Sequence, residues 1–229
     1  MKPGDPAGPA DRDALYQGFA RIGHALSNPT RLRLVSLLSQ GEKSVEVLAA
    51  RSGQPFASVS AHLKILRDAH LVRTRRDGRQ IIYALGGESV EALWLALRAV
   101  AEAELPEVRE LTARFMHTPH SLDRLDAPEL LAAVASGQLI LLDLRPPDEF
   151  AAAHLPGARS VPFAELEQRL AELPRDREIV AYCRGPYCVM AVEGVALLRR
   201  QGLPARRLLQ GVPEWRAAHL PLETQQHPR

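Results

Sequence analysis

Leu71-Val72-Arg73-Thr74-Arg75-Arg76-Asp77-Gly78-Arg79-Gln80-Ile81-Ile82-Tyr83-Ala84-Leu85 is the stretch on which the fold of the first half turns. Two runs of strand-forming residues flank Asp77-Gly78, a pair that tolerates the positive φ a tight hairpin needs. The stretch therefore predicts two antiparallel strands with arginines at the tip. Toward the N-terminus, Phe56, Val59, Leu63 and Leu66 recur at helical spacing, which predicts a helix over 56–68 with a buried stripe. Ala57, Ser58, Ala61 and Lys64 fall on its other side. Ser52-Gly53-Gln54-Pro55 predicts a tight turn before it, and Ser44 the start of another helix running to Arg51. Ser27-Asn28-Pro29 offers cap residues and a proline suited to a first helical position, for a helix that stops near Gly41. Two helices joined by a short glycine-containing turn, the second with a small polar face, form a helix-turn-helix, which lays its second helix in the major groove of DNA. The hairpin that follows is a wing.

Charge is distributed as that reading requires. The net charge is only +2 over 229 residues, yet the segment 58–83 holds Lys64, Arg67, Arg73, Arg75, Arg76 and Arg79 against Asp68 and Asp77. Such a concentration suits a polyanion-binding face. Arg75, Arg76 and Arg79 at the wing tip are expected to reach phosphates or the minor groove, supplying affinity and salt dependence rather than base reading. Arg73 and Lys64 belong to the same DNA-facing set.

The second half is read from Tyr182-Cys183-Arg184-Gly185-Pro186-Tyr187-Cys188, which contains both cysteines of the chain. Ile179 to Tyr182 predicts a short buried strand and Val189 to Arg200 an amphipathic helix. A sulfur at that junction meets unpaired backbone N–H groups and the positive end of a helix dipole, both of which favour the thiolate. Cys183 is thus a candidate nucleophile. Two cysteines make no structural disulfide framework, and a pair at short spacing is more often redox-active, metal-binding or catalytic. Ser121–Ser136, Pro146–Ala153, Phe163–Leu173 and Pro213–Ala218 read as helices, with strands at Leu139–Leu144 and Arg206–Leu209. The alternation predicts a mostly parallel α/β sheet, whose ligands bind at the carboxyl ends of strands, where Cys183 lies.

Composition fits two soluble cores: 46% of residues are hydrophobic and 24% charged. No apolar run reaches membrane-spanning length. Met1 to Pro9 lacks the apolar core of a signal peptide and reads as part of a frayed tail, so a cytoplasmic protein with no membrane partner is expected.

Residues 15–85, through Ser27-Asn28-Pro29-Thr30-Arg31-Leu32-Arg33, Ser58-Val59-Ser60-Ala61-His62-Leu63-Lys64-Ile65-Leu66 and Gly78-Arg79-Gln80-Ile81-Ile82-Tyr83, resemble the winged-helix domain of ArsR-type repressors. The resemblance implies a homodimer on double-stranded operator DNA, with Ser58, Ser60 and His62 on or beside the recognition helix. Many members of that family bind metals through cysteines early in the helix that begins here at Ser44, or through Asp and His on a terminal helix. Ser44-Val45-Glu46-Val47 has no thiol, and the long helix expected over Ser89–Met116 has no histidine before His117. Its Leu93, Trp94, Leu97, Val100, Leu105 and Leu111 read instead as a dimer interface. His117 and His120 border Pro119 in an expected linker, so neither a metal site nor a cofactor is expected.

Leu141-Leu142-Asp143-Leu144-Arg145-Pro146-Pro147-Asp148-Glu149-Phe150, His154-Leu155-Pro156-Gly157-Ala158, Tyr182-Cys183-Arg184 and Gly211-Val212-Pro213-Glu214-Trp215 resemble, in order, the landmarks of a rhodanese domain. That resemblance makes Cys183 the residue that would take up a sulfane sulfur as a persulfide, with Asp143, Arg145 and His154 as supports near the strand ends. The loop departs from the family pattern. Cys188 stands where an arginine is expected, and Pro186 removes one N–H, although Gly185 keeps the backbone permissive and Arg184 remains an anion contact. Thiosulfate sulfurtransferase activity is accordingly expected to be weak. Arsenate reductases and phosphatases need an arginine six positions after the cysteine, where this chain has Val189.

The sequence therefore predicts two domains, a mainly-α winged helix-turn-helix followed by an α/β rhodanese-like domain with a mostly parallel sheet. The expected boundaries are a disordered tail at 1–13, the winged-helix and dimerisation domain at 14–117, a linker at 118–126 and the rhodanese-like domain at 127–224. The functional expectation is a dimeric transcriptional repressor that senses a small sulfur donor or oxidant at Cys183. In that scheme Cys188 resolves, Arg184 assists, and Gly185, Pro186 and Tyr187 form the loop. The alternatives are a DNA-tethered sulfurtransferase and a dithiol sensor of arsenic-type metalloids.

Overall fold

A computed structural model describes residues 8–116, 120–122 and 126–225, and within it the chain divides into two compact units, Met1–Trp94 and Leu95–Arg229. The first unit begins with helix α1 (Pro9–Leu26), so residues 9–13, expected as tail, are helical. The cause is local: Pro9 stands at a first helical position, and the Asp11 carboxylate accepts the Gly8 N–H at 2.8 Å. Helix α2 (Pro29–Leu38) is capped by Asn28, whose Oδ1 accepts from the Thr30 and Arg31 amides at 3.0 and 3.2 Å. The buried Arg31 fastens α2 to the end of α1, donating to the carbonyls of Ala25 and His24 at 2.5 and 2.7 Å. Ser44 caps α3 (Val45–Ser52), which ends at Gly53 in the left-handed region, φ 67°. Pro55 then leads into α4 (Phe56–Asp68).

Leu34, Val35, Leu48, Val59, Leu63 and Leu66 form the floor of this core with no exposed surface. Phe56, expected to extend the buried stripe of α4, is 53% exposed, because it begins the helix before α4 reaches the core. Strands β1 (Lys43–Ser44), β2 (Val72–Asp77) and β3 (Gln80–Leu85) pair antiparallel in the order β1-β3-β2. Asp77 pairs with Gln80, so the two-residue turn is Gly78-Arg79 rather than Asp77-Gly78, and of the two only Gly78 has a positive φ, 57°.

The expected single helix over Ser89–Met116 is two helices, α5 (Glu88–Glu104) and α6 (Pro106–Met116). Proline at 106 has no N–H to donate and its ring clashes with the preceding turn, so the first helix stops and a second starts with Pro106 at its head. Val90 and Trp94, early in α5, pack against the core of the first unit. From Leu95 onward the helix belongs to the second unit, which moves the division between units well upstream of the expected 117.

The second unit is built on five parallel strands in the order β4-β8-β7-β5-β6: β4 (Ser121–Leu122), β5 (Leu139–Asp143), β6 (Arg159–Ser160), β7 (Glu178–Tyr182) and β8 (Ala205–Leu208). Two-residue alternation sends successive side chains to opposite faces. Leu139, Leu141, Val180 and Tyr182 join α7 (Ala127–Ala135) and α10 (Val212–Ala217) in one cluster. Ile140, Leu142, Ile179 and Ala181 join α9 (Val189–Arg200) in the other. Helix α8 (Pro147–Ala152) follows β5.

Two expectations fail here. Ser121 and Leu122, expected to open a helix, instead form β4 within the expected linker, paired with Arg207 and Leu208, and the helix starts only at Ala127. Phe163–Leu173, expected as a helix, is two 3-10 turns at Phe163–Glu165 and Leu170–Glu172. Its apolar residues Phe163, Leu166, Leu170 and Leu173 do follow helical spacing, but several of its amides bond three residues back.

Candidate functional site

Strand β7 ends on Tyr182, and the loop that follows it is anchored from below by a buried polar network. The Tyr182 hydroxyl donates to Asp143 Oδ2 at 2.6 Å and accepts the Leu155 N–H at 3.1 Å. Burial above all, and the Asp143 charge after it, push the Tyr182 phenol well above its usual range, so it remains a donor. Asp143 in turn takes Arg145, whose Nε lies 3.0 and 3.1 Å from the two carboxylate oxygens, and Arg145 Nη2 also donates to the Ala153 carbonyl at 2.7 Å. Neither Asp143 nor Arg145 has exposed side chain, and each satisfies the other. His154 stacks on Phe150 with ring centroids 3.7 Å apart, and its Nδ1 lies 2.9 Å from the Phe150 carbonyl oxygen. All three side chains are thus fixed by neighbouring groups.

Cys183 emerges from this network 1% exposed, and it is joined to Cys188 by a disulfide across Cα atoms 6.2 Å apart. Between them the chain turns on Gly185, which has φ 109°, and the Cys188 N–H donates to the Gly185 carbonyl at 3.2 Å. Cys188, not Cys183, is the N-cap of α9. Cys188 thus occupies the residue position at the positive helix end, five residues after Cys183. Arg184, expected as an anion contact, has its fork filled by Glu149: Nε and Nη2 each lie 2.9 Å from a carboxylate oxygen of that buried residue.

Around the loop close Gly211, Glu214 and Tyr187, together with Arg98, Glu102 and Arg207, which sequence reasoning passed over. Gly211 packs so tightly that an added Cβ would lie 2.8 Å from both the Cys183 carbonyl and the Gly185 nitrogen. The Glu214 carboxylate accepts the Gly211 N–H at 2.9 Å and stands against Gly185, 3.0 Å from where a Cβ would sit. Arg98 of α5 pairs with Glu214 at 2.9 Å and lies 4.8 Å from the Tyr187 ring centroid. The Tyr187 hydroxyl donates to Glu102, and Arg207 donates to the Pro186 carbonyl and, at 2.9 Å, to that of Phe115. The one sequence signal for Arg98 is a cation amid the apolar Leu93, Trp94, Leu97 and Val100.

On the first unit, Ala57, Ala61, Lys64 and Arg67 of α4 are exposed, and Ser58, Ser60 and His62 are half-buried. His62 Nδ1 is buried without a hydrogen-bond partner among the described residues. Arg73, Arg75, Arg76 and Arg79 are exposed on the wing. Arg75 is already engaged by Glu42 and, at 3.0 Å, by Asp77, and the hydrogen bonds it donates to Glu42 are the main cause that raises its guanidinium above its usual range. Among the described residues no three His, Cys, Asp or Glu side chains cluster as metal ligands do; His117 lies outside them. No helix among them is long and apolar enough to cross a membrane.

Two family models match the chain: the arsR family of bacterial regulatory proteins over residues 28–74 and the rhodanese-like domain over 126–218. The HTH-type transcriptional regulator Rv0324 of Mycobacterium tuberculosis is 43% identical over 218 residues, 95% of this chain and 96% of that one. The chain belongs to the ArsR-family transcriptional regulators that carry a C-terminal rhodanese-like domain. A second relative, the HTH-type transcriptional regulator KmtR of Mycobacterium tuberculosis, is 47% identical over 79 residues, 34% of this chain and 59% of that protein. Among solved structures, the homodimeric winged helix-turn-helix DNA-binding domain of Mb0332 from Mycobacterium bovis is 39% identical, covering 44% of this chain and 95% of that fragment, with a TM-score of 0.41.

Proposed function

We propose that the protein is a homodimeric, DNA-binding repressor that responds to reactive sulfur or oxidant through Cys183 and Cys188. The observation that carries the reading is the pairing of the two cysteines in a loop whose arginine is already occupied by Glu149. An anionic donor such as thiosulfate finds no uncommitted Arg184 fork there, whereas a nearby second thiol can resolve whatever forms on the first. The reduced Cys183 thiolate attacks the outer sulfur of an organic persulfide; its S–S bond breaks, an organic thiolate leaves, and Cys183 carries a persulfide. Cys188 thiolate then attacks the inner sulfur and expels hydrosulfide, leaving the Cys183–Cys188 disulfide. With a hydroperoxide, Cys183 becomes a sulfenic acid with loss of an alkoxide, and Cys188 displaces water to give the same bond. The N-cap position of Cys188 favours negative charge on its sulfur and suits it to the attacking role.

DNA contact falls to the exposed face of α4 and the wing, as in the helix-turn-helix arrangement generally. Dimerisation is supported by apolar side chains left in solvent on α1 and α5: Phe19 is 65% and Val100 60% exposed, with Leu15, Tyr16, Leu93 and Leu97 beside them.

The test is the affinity of the full chain for the DNA upstream of its own gene, measured after dithiothreitol, glutathione persulfide and cumene hydroperoxide. A change of about 5- to 150-fold between the reduced and treated states, absent in Cys183→Ser, is the expected result for ordinary allosteric coupling. Equal affinities in all states, together with rapid cyanide-dependent turnover of thiosulfate, would replace the sensor with a DNA-tethered sulfurtransferase.

A further inference from the structure

We infer that the C-terminal half of α5 is the receiver of the cysteine state, held to the loop by a latch made of Arg98, Glu102, Tyr187 and Glu214. This rests on the reading of Cys183 and Cys188 as the input, and names the element that carries their signal. Tyr187 is the residue before Cys188, so the disulfide fixes its place. Its hydroxyl donates to Glu102, its ring faces the Arg98 guanidinium at 4.8 Å, and its edge meets Phe115 with centroids 6.1 Å apart. Arg98 reaches past the ring to Glu214, 2.9 Å away, and the Glu214 carboxylate stands against Gly185 at the middle of the same loop. Both ends of the loop's turn therefore bear on two residues of one helix, Arg98 and Glu102, a single turn apart.

These contacts are enclosed. Arg98 and Glu214 side chains are 15% and 21% exposed, where a cation over an aromatic ring and an ion pair are stronger than in open solvent. The receiver is also continuous with the DNA-binding unit, since α5 is one helix whose first turns place Val90 and Trp94 on that unit's core. Opening the disulfide takes two electrons and two protons. A dithiol reductant supplies them: the Cys183–Cys188 bond breaks to two thiols while the reductant closes into its own disulfide. The 6.2 Å tie between the Cα atoms is then lifted, Tyr187 is no longer fixed through Cys188, and the last turns of α5 lose their hold.

Amide hydrogen exchange over residues 96–104 of the full chain tests this, with the thiol count of each sample taken by alkylation and mass spectrometry. Exchange is expected to be about ten-fold faster after dithiothreitol than in the disulfide form, the response to losing contacts of this strength. In Arg98→Gln the disulfide form should already exchange at the reduced rate and change no further on reduction. Equal exchange in the two states of the unaltered chain overturns the latch, as does an Arg98→Gln protein that responds as fully as the unaltered one. If DNA affinity follows the thiol count while α5 exchange does not, the latch falls and the sensor stands. A pair that never closes overturns both.

Discussion

Glycine 211 shows how little room the cysteine loop has. A Cβ there would clash with the Cys183 carbonyl and the Gly185 nitrogen, against which the chain entering α10 lies. Gly211→Ala is expected to cost about 1–3 kcal/mol, as forced overpacking does, read as a lower midpoint in thermal or urea unfolding. Beneath the loop, Arg145→Met would leave Asp143 buried without its cation and should cost about 3–5 kcal/mol by the same measurement. Tyr182 adds a pH signature. Its phenol titrates near 10 when unfolded and higher when folded, so its contribution is whole below about pH 10 and is lost as pH rises toward the folded value. The native protein should therefore lose stability above about pH 10 more steeply than Tyr182→Phe, in paired denaturation curves across pH 8–12. Much of this was legible in the residues themselves: Asp143, Arg145 and Cys183 sit at strand ends that short apolar runs announce. Arg184 was not, because nothing in its neighbourhood in sequence reveals Glu149, 35 residues away, as its partner.

Among the elements, the wing holds its arginines in different surroundings. Arg75 is engaged by Glu42 and Asp77, whereas Arg76 and Arg79 have no ion pair among the described residues. Replacing Arg76 and Arg79 together by alanine should lower the slope of log affinity against log salt by about 2, since each phosphate contact contributes about 0.9, and Arg75→Ala should lower it by less than one contact's share. Fluorescence anisotropy on a labelled duplex at several salt concentrations gives both slopes. The apolar faces of α1 and α5 predict in the same way that Phe19→Glu yields a folded monomer, seen by sedimentation, with circular dichroism unchanged. Helix existence was well marked by periodicity in α2, α3, α4 and α9, and less well where two signals competed. At Pro9 a sound helix start is hidden among glycines and prolines; at Phe163–Leu173 helical spacing of apolar residues is satisfied by 3-10 turns; at Pro106 a helix interrupted by proline was read through.

The whole molecule carries its two domains in two units, and the order of those units was readable from charge, patterning and motif order. Their division was not. A helix whose first turns belong to one unit and whose last turns belong to the other has no break in its sequence pattern, so α5 read as part of the first domain alone. The chain has two tryptophans, and they fall one on each side of that division. Trp94 packs on the winged-helix core, and Trp215 is fully buried in the same core cluster as Tyr182 with its indole N–H unpartnered among the described residues. The molecule thus contains its own pair of optical probes. With Trp94→Phe the remaining emission comes from the rhodanese-like side, and with Trp215→Phe from the DNA-binding side, so one unlabelled protein preparation of each tests whether, and when, either half responds to a sulfur donor.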